Sequence, residues 1–184
     1  MKLIILDRDG VINQDSDTYI KNPHEWAPIE SSLQAIAKLG RAGYRVFVAT
    51  NQSGLARGLF DIETLNAIHQ KMTAAVQAVG GSIEAVLFCP HGPDDGCTCR
   101  KPKPGLYEEI SSRTQQSLKD VPIVGDSFRD IEAAIRVHAS PILVRTGKGE
   151  AELVKLKAHY PRVPVYKDLL SATEDLIEQH KASK

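Results

Sequence analysis

Apolar residues in this chain fall in short runs, and the stretches between them carry helical spacing. The first run, Leu3-Ile4-Ile5-Leu6, reads as a strand buried on both faces. Residues 44–49, 83–88, 121–125 and 141–144 read as four more strands, with a short sixth around 163–165. Pro122 lies near the start of its run, where a sheet tolerates it. Between the strands, Leu33, Ile36, Ala37 and Leu39 mark a helix closed by Gly40 and Gly43. A longer helix over about 62–79 starts after Asp61, a suitable N-cap, and stops at Gly80-Gly81. Helices are also expected over about 106–116, over 131–137, in the polar stretch after Val144, and from 168 to about 179. Alternating strands and helices predict an α/β fold, a doubly wound and mainly parallel Rossmann-like sheet.

The 184 residues suit one domain with a substantial core, and no linker, repeat or low-complexity stretch divides them. A single domain over 1–184 is expected, with the Lys-rich end at 180–184 as a frayed tail. Charge balances at 23 basic and 23 acidic residues without long blocks of either sign, which gives no support to nucleic-acid or membrane binding. No apolar stretch approaches a membrane span, and the first residues lack the pattern of a signal peptide. A cytoplasmic protein is the expectation, and a monomer, because no coiled-coil or long edge pattern is evident.

The three cysteines, Cys89, Cys97 and Cys99, lie within eleven residues and make a poor disulfide framework. With His91 they form Cys-x-His-x5-Cys-x-Cys, four ligands of the kind a structural zinc ion takes tetrahedrally. The Gly92-Pro93-Asp94-Asp95-Gly96 segment between the pairs is turn chemistry. Three thiolates and one imidazole leave no open position for water, so this zinc is read as structural.

The first strand ends in Asp7-Arg8-Asp9-Gly10, the second in Thr50-Asn51-Gln52-Ser53-Gly54, and the fourth in Gly125-Asp126-Ser127-Phe128-Arg129-Asp130. All three would project into the crevice at the carboxyl edge of the sheet. Residues two apart on extended backbone point the same way, so Asp7 and Asp9 can face one bound group. Arg100-Lys101-Pro102-Lys103-Pro104 adds a positive cluster after the cysteine loop. Paired carboxylates, a hydroxyl and a lysine are what a phosphomonoester hydrolase needs, with Mg²⁺ as the hard cation that suits carboxylate oxygens.

Asp7-x-Asp9-Gly10, Thr50, the lysine of the Arg-Lys-Pro segment and Gly125-Asp126-x-x-x-Asp130 resemble the four motifs of the haloacid dehalogenase-like phosphatases. That resemblance implies Asp7 as nucleophile forming an aspartyl-phosphate, and Asp9 as general acid and then base. It also implies Thr50 and Lys101 as holders of the phosphoryl oxygens, with Asp7, the Asp9 backbone carbonyl and Asp126 as Mg²⁺ ligands. Lys101 is preferred over Lys103 because Arg-Lys-Pro follows the metal loop. Asp130 is placed behind the metal, where Ser127 stands at a position that carries a second acid in many relatives. Taken with the zinc loop, these motifs resemble the D-glycero-D-manno-heptose 1,7-bisphosphate 7-phosphatases and their relatives, the histidinol-phosphate phosphatases.

Residues 11–30 and 89–105 are too short for the cap domain most of these phosphatases carry, so a capless enzyme is expected. A small sugar phosphate would then be gripped by residues 13–19, by 51–57 and by the zinc loop with Arg100. Arg100 is assigned to the substrate, which has a second phosphate in the heptose case. Asn51, Gln52 and Ser53 are further candidates, and Asp15 and Asp17 are placed against sugar hydroxyls. Trp26 and Tyr44 are read as packing residues, and His24, His69, His138, His159 and His180 as surface or structural. The alternatives are a histidinol-phosphate or broader sugar phosphatase on the same scaffold, and, from another class, a zinc-organised binding module without catalysis.

Overall fold

The computed structural model describes residues 2–182. Six strands form one parallel sheet: β1 (Lys2–Leu6), β2 (Tyr44–Asn51), β3 (Ala85–Cys89), β4 (Pro122–Gly125), β5 (Ser140–Val144) and β6 (Val165–Tyr166). Their order is β3-β2-β1-β4-β5-β6, with β1 at the reversal of the winding. A ligand crevice forms where the order reverses, outside the carboxyl ends. The helices among the described residues are α1 (Glu30–Arg41), α2 (Ile62–Ala78), α3 (Gly105–Thr114), α4 (Phe128–Arg136), α5 (Gly149–His159) and α6 (Leu169–Ala182).

Alternation along β1 divides the core. Ile4 and Leu6 face Leu33 and Ile36 of α1, Ile68 and Met72 of α2, and Leu169 of α6. Leu3 and Ile5 face the other way, into a cluster with Leu106 and Ile110 of α3 and Ala133 and Ala134 of α4. Both faces of the central strand are therefore dry, which is why its sequence is apolar without alternation. Trp26 is buried in the first cluster and Tyr44 packs against it.

Several boundaries differ from the expected ones. Helix α4 begins at Phe128, three residues before the expected start, because the Asp130 carboxylate accepts from the backbone N–H (3.0 Å) and hydroxyl (2.7 Å) of Ser127 and fixes the first turn. Strand β3 runs through Cys89, so the first thiol sits on the sheet instead of in the loop. The sixth strand is Val165–Tyr166, set by pairing with Leu143 and Val144. Helix α6 continues through Ala182, so residues 180–182 are helical where a frayed tail is expected; Ser183 and Lys184 lie outside the described residues.

Residues 7–29 and 90–104 form no helix or strand of their own beyond the bridges Asp9 to Asn13 and Asn13 to Pro28. Neither segment builds a cap over the carboxyl edge. Two glycines close the β1 turn against the loop before α5. Gly10 has φ +77°, and a Cβ there would stand 2.0 Å from an Asp126 oxygen; at Gly147, φ +58°, the same oxygen would be 2.2 Å away. Among the described residues no helix is long and apolar enough to cross a membrane.

Candidate active site

Strand pairing delivers the acidic groups to one point. The backbone N–H of Asp7 donates to Val124 (2.9 Å), which carries the β1–β4 pairing one residue past the strand end. Asp7 thus stands beside Asp126 and Asp130, and these three carboxylates offer oxygens within 4.8 Å of one another. The Lys101 ammonium is buried among them, 2.9 Å from Asp7 and 2.6 Å from Asp130, and donates to the Ala49 carbonyl at 2.8 Å. Burial disfavours its charge, but Asp130 and Asp7 outweigh burial and hold its pKa above the ordinary range. Lys103 points elsewhere, donating to the Cys97 carbonyl at 2.6 Å.

Two neighbours fix Lys101 further. The Asn51 side chain accepts from the Lys101 N–H and donates to its carbonyl, both at 3.1 Å. This amide, expected on the substrate, is engaged with protein backbone. Thr50 is buried at the end of β2, and its hydroxyl accepts from Gln52 at 3.0 Å. Gln52 also donates to Asp9 at 2.9 Å, while Ser53 lines the same cavity.

The two carboxylates of the first motif have opposite surroundings. Burial, the Asp130 charge and the Asp9 charge push Asp7 up to about 7, against the pull of Lys101. Burial also raises Asp9, but the Arg8 charge and hydrogen bonds from Asn13, Arg8 and Gln52 outweigh it and hold Asp9 below the ordinary carboxylate range. Asp126 is pushed up to about 8 by burial and by Asp7 and Asp130; the backbone N–H of Lys148 donates to it at 2.8 Å.

The donor set fits Mg²⁺. Three carboxylates, two of them buried and Asp7 largely so, face one ammonium, and the raised values of Asp7 and Asp126 express the remaining negative charge. Asp130 is already occupied by Lys101 and Ser127, which leaves Asp7 and Asp126 as side-chain ligands. The Asp9 side chain is taken by Arg8, so Asp9 has only its backbone carbonyl to offer a cation.

The four zinc candidates come together as the spacing predicts. The ligand atoms of Cys89, His91, Cys97 and Cys99 lie within 4.8 Å of one another, with His91 Nδ1 at 3.6 Å from Cys89 Sγ and 3.3 Å from Cys99 Sγ. Burial and the Cys99 hydrogen bond push the Cys89 thiol up to about 12 in the absence of a cation. Three crowded thiols and one imidazole fit a tetrahedral zinc ion. Asn51 pairs with Cys89 in register, and the Gln52 backbone N–H donates to the Cys89 carbonyl (2.8 Å), so the sheet fastens this loop to the acidic cluster.

A cavity of about 340 Å³ opens above these groups. Asp15 and Asp17 line it, Asp15 lying 3.3 Å from the Lys148 ammonium. Arg100 lines it as well and donates to the His91 carbonyl at 3.2 Å. Arg57 stacks over Tyr19, 5.9 Å from the ring centre. Arg129 and Lys148 complete the rim and were not expected from the sequence, nor were Arg8, Asn13 and His69 around Asp9. Arg129 shows its signal only once α4 is known to begin at Phe128, which places it in the first turn facing the crevice.

A parallel sheet of this order, with an acidic pair after β1, a hydroxyl after β2, a buried lysine before α3 and carboxylates after β4, defines a haloacid dehalogenase-like hydrolase. The HAD-hydrolase-like family model matches residues 98–172. A D-glycero-β-D-manno-heptose-1,7-bisphosphate 7-phosphatase of Bordetella bronchiseptica is 53% identical over 180 residues, 97% of this chain and 99% of the relative. One of the same name from Neisseria meningitidis is 45% identical over 183 residues, 99% and 98% of the two chains. The crystal structure of the B. bronchiseptica D,D-heptose 1,7-bisphosphate phosphatase, complexed with magnesium and phosphate, superposes with a TM-score of 0.93 over 97% of this chain and 99% of that one, at 53% identity. The corresponding phosphatase of Burkholderia thailandensis gives 0.76 at 43% identity, over 96% and 99%. The chain belongs to the D-glycero-β-D-manno-heptose-1,7-bisphosphate 7-phosphatase family.

Two outcomes follow from the charges. Carboxyl pKa values raised from 3.8 to about 7 and about 8 mean that the metal-free folded chain binds more protons than the unfolded chain in that window. Its stability should fall as pH rises from about 4 to about 8, and Mg²⁺ should offset the loss by taking the deprotonated oxygens. Thermal unfolding with and without Mg²⁺ should give a Tm increment that grows with pH; a flat increment would refute the unbalanced carboxylates. Secondly, protein prepared without chelator should hold about one zinc ion per chain. Cys99→Ser should lower Tm and raise KM roughly tenfold by releasing Arg100 and Lys101, whereas a zinc-free protein of full activity would overturn the assignment.

Proposed function

We propose that this chain removes the 7-phosphate of D-glycero-β-D-manno-heptose 1,7-bisphosphate, leaving heptose 1-phosphate, through an aspartyl-phosphate on Asp7. The observation that carries the reading is the Asp7–Lys101–Asp130 cluster at the floor of a cavity whose rim holds Arg57, Arg100, Arg129 and Lys148. The floor suits the phosphate that reacts, and the cationic rim suits a second, remote phosphate.

In the first step an Asp7 oxygen attacks phosphorus while the ester oxygen departs with a proton from Asp9. In the second, Asp9 takes a proton from the water that cleaves the aspartyl-phosphate, which restores Asp7. Lys101 and the Thr50 hydroxyl hold the equatorial oxygens, where negative charge must be neutralised. Mg²⁺, held by Asp7, Asp126 and the Asp9 carbonyl, supplies Lewis-acid charge neutralisation when bound. The zinc loop is structural and presents Arg100 and Lys101 from a fixed base.

Arg100 and Arg129 form the remote subsite. Burial and the neighbouring Arg129 charge hold the Arg100 pKa below its ordinary value, a repulsion that an anion between them relieves. Asp15, Gln52 and Ser53 orient the sugar. The partner is a small sugar phosphate, and the enzyme works in the cytoplasm as a single-domain monomer that binds neither nucleic acid nor membrane. Balanced charge supports that last point.

Phosphate release with Mg²⁺ from the β and α anomers of the bisphosphate and from histidinol phosphate tests the substrate. The β anomer should be strongly preferred, and Asp7→Asn should reduce turnover to background. Equal, poor turnover of all three would remove the heptose assignment and leave the phosphatase chemistry. Arg129→Ala should raise KM for the bisphosphate about tenfold, the loss of one charge-assisted contact, and more than for the 7-monophosphate. Equal increases for both would place Arg129 outside the remote subsite.

A further inference from the structure

Arg8 stands between the two reacting carboxylates in sequence, yet the steps above assign it nothing. Its side chain is 1% exposed. A buried guanidinium is strongly unfavourable unless its N–H groups find partners. Here Nε lies 3.1 Å from Asp9 Oδ1, and Nη2 lies 2.7 and 2.9 Å from the two Asp9 oxygens. Nη1 meets His69 Nε2 at 3.3 Å.

Both contacts require the fold. Adjacent residues on extended backbone point to opposite faces, so Arg8 and Asp9 would not meet on a strand. They meet because the chain turns at once: the Arg8 carbonyl accepts from the N–H groups of Ile12 (2.8 Å) and Asn13 (3.2 Å). His69 comes from α2, a helix that gives the site no other group, and its ring packs against Phe88 of β3 with centroids 6.1 Å apart. Burial and the Arg8 charge push the His69 pKa down to about 4, so Nε2 is free to accept from the guanidinium.

We propose that His69 and Arg8 are positioning residues for Asp9: helix α2 holds the guanidinium through His69, and the guanidinium fork sets the plane of the Asp9 carboxylate. Neutralising Asp9 needs only a positive charge. A planar fork bound at two edges of a carboxylate and tied at its remaining nitrogen to an imidazole also specifies an orientation. Asn13 and Gln52, with one bond each to Asp9, add support without defining that plane. A misplacement of about 1 Å in a proton-transferring group costs on the order of a hundredfold in rate.

The inference rests on Asp9 acting as acid in the proposed reaction, and leaving-group dependence separates the two. A sugar oxygen needs a proton to depart; nitrophenolate leaves without one. His69→Leu should slow single-turnover phosphoryl transfer from the heptose bisphosphate roughly 10- to 100-fold with KM nearly unchanged. It should leave the first-turnover release of nitrophenolate from p-nitrophenyl phosphate at the wild-type rate. His69→Gln, which keeps an acceptor, should restore most of the loss. Arg8→Lys, which keeps the charge and loses the fork, should show the same selectivity and decides the matter if His69→Leu does not fold. Equal losses on both substrates, no loss on either, or failure of glutamine to rescue would overturn the proposal. If the wild-type enzyme does not hydrolyse the heptose bisphosphate, the substrate reading fails, and the same comparison runs on any alkyl phosphate it does hydrolyse.

Discussion

A lysine ammonium buried between two carboxylates is the interaction on which the rest of the site depends. Asp7, Asp126 and Asp130 reach one point because two parallel strand ends and one helix start converge there, and without a cation their charges could not share it. Lys101 supplies the permanent part of that cation. Much of the surrounding structure serves its placement: the Asn51 amide clamps its backbone, Asp130 is fixed by capping α4, and β3 anchors the loop that leads to it. The residual negative charge is what a divalent ion answers, so metal binding and lysine placement are parts of one electrostatic solution.

The zinc loop answers a different constraint. With no cap domain over the carboxyl edge, substrate must be held by short connections, and short connections that order only on binding lose affinity to entropy. Four ligands gathered on an 11-residue segment, the first of them on a strand, remove that cost before substrate arrives. Rim cations then need no large moving part. Arg57 is stacked on Tyr19, Arg100 is tied to the His91 carbonyl and Lys148 to Asp15.

The strands and the motif residues were legible because each depends on local chemistry: an apolar run, a carboxylate directly after it, thiols at ligand spacing. Six strands in parallel order and the Cys89–His91–Cys97–Cys99 cluster follow from such signals. What stayed hidden depends on distance. His69 is one of six histidines and sits on an ordinary amphipathic helix; only the packing of α2 beside β1 and β3 brings it to Arg8. Arg8 carries no assignment in the sequence, because extended geometry sends it away from Asp9 and the turn that reverses this is a tertiary feature. Arg129 is hidden in the sequence because the apolar pattern of α4 begins only at Ile131, three residues after the start that the Ser127–Asp130 cap sets.

The contrast between Asp7 and Asp9 suits the two halves of the proposed reaction. Asp7 lies among like charges and needs a cation beside it to be fully ionised; Asp9 is ionised already by Arg8 and its neighbours. An acid must nevertheless hold a proton when the ester oxygen leaves. A phosphate dianion brought beside Asp9 acts against Arg8, because a like charge disfavours the carboxylate. In the proposed reaction, substrate would therefore shift Asp9 toward its acid form on arrival. Once the phosphoryl group is on Asp7 and the alcohol has gone, the Arg8 fork again favours the carboxylate, the form required to take a proton from water. In the proposed reaction the guanidinium proposed to orient Asp9 would thus also favour its return to the carboxylate.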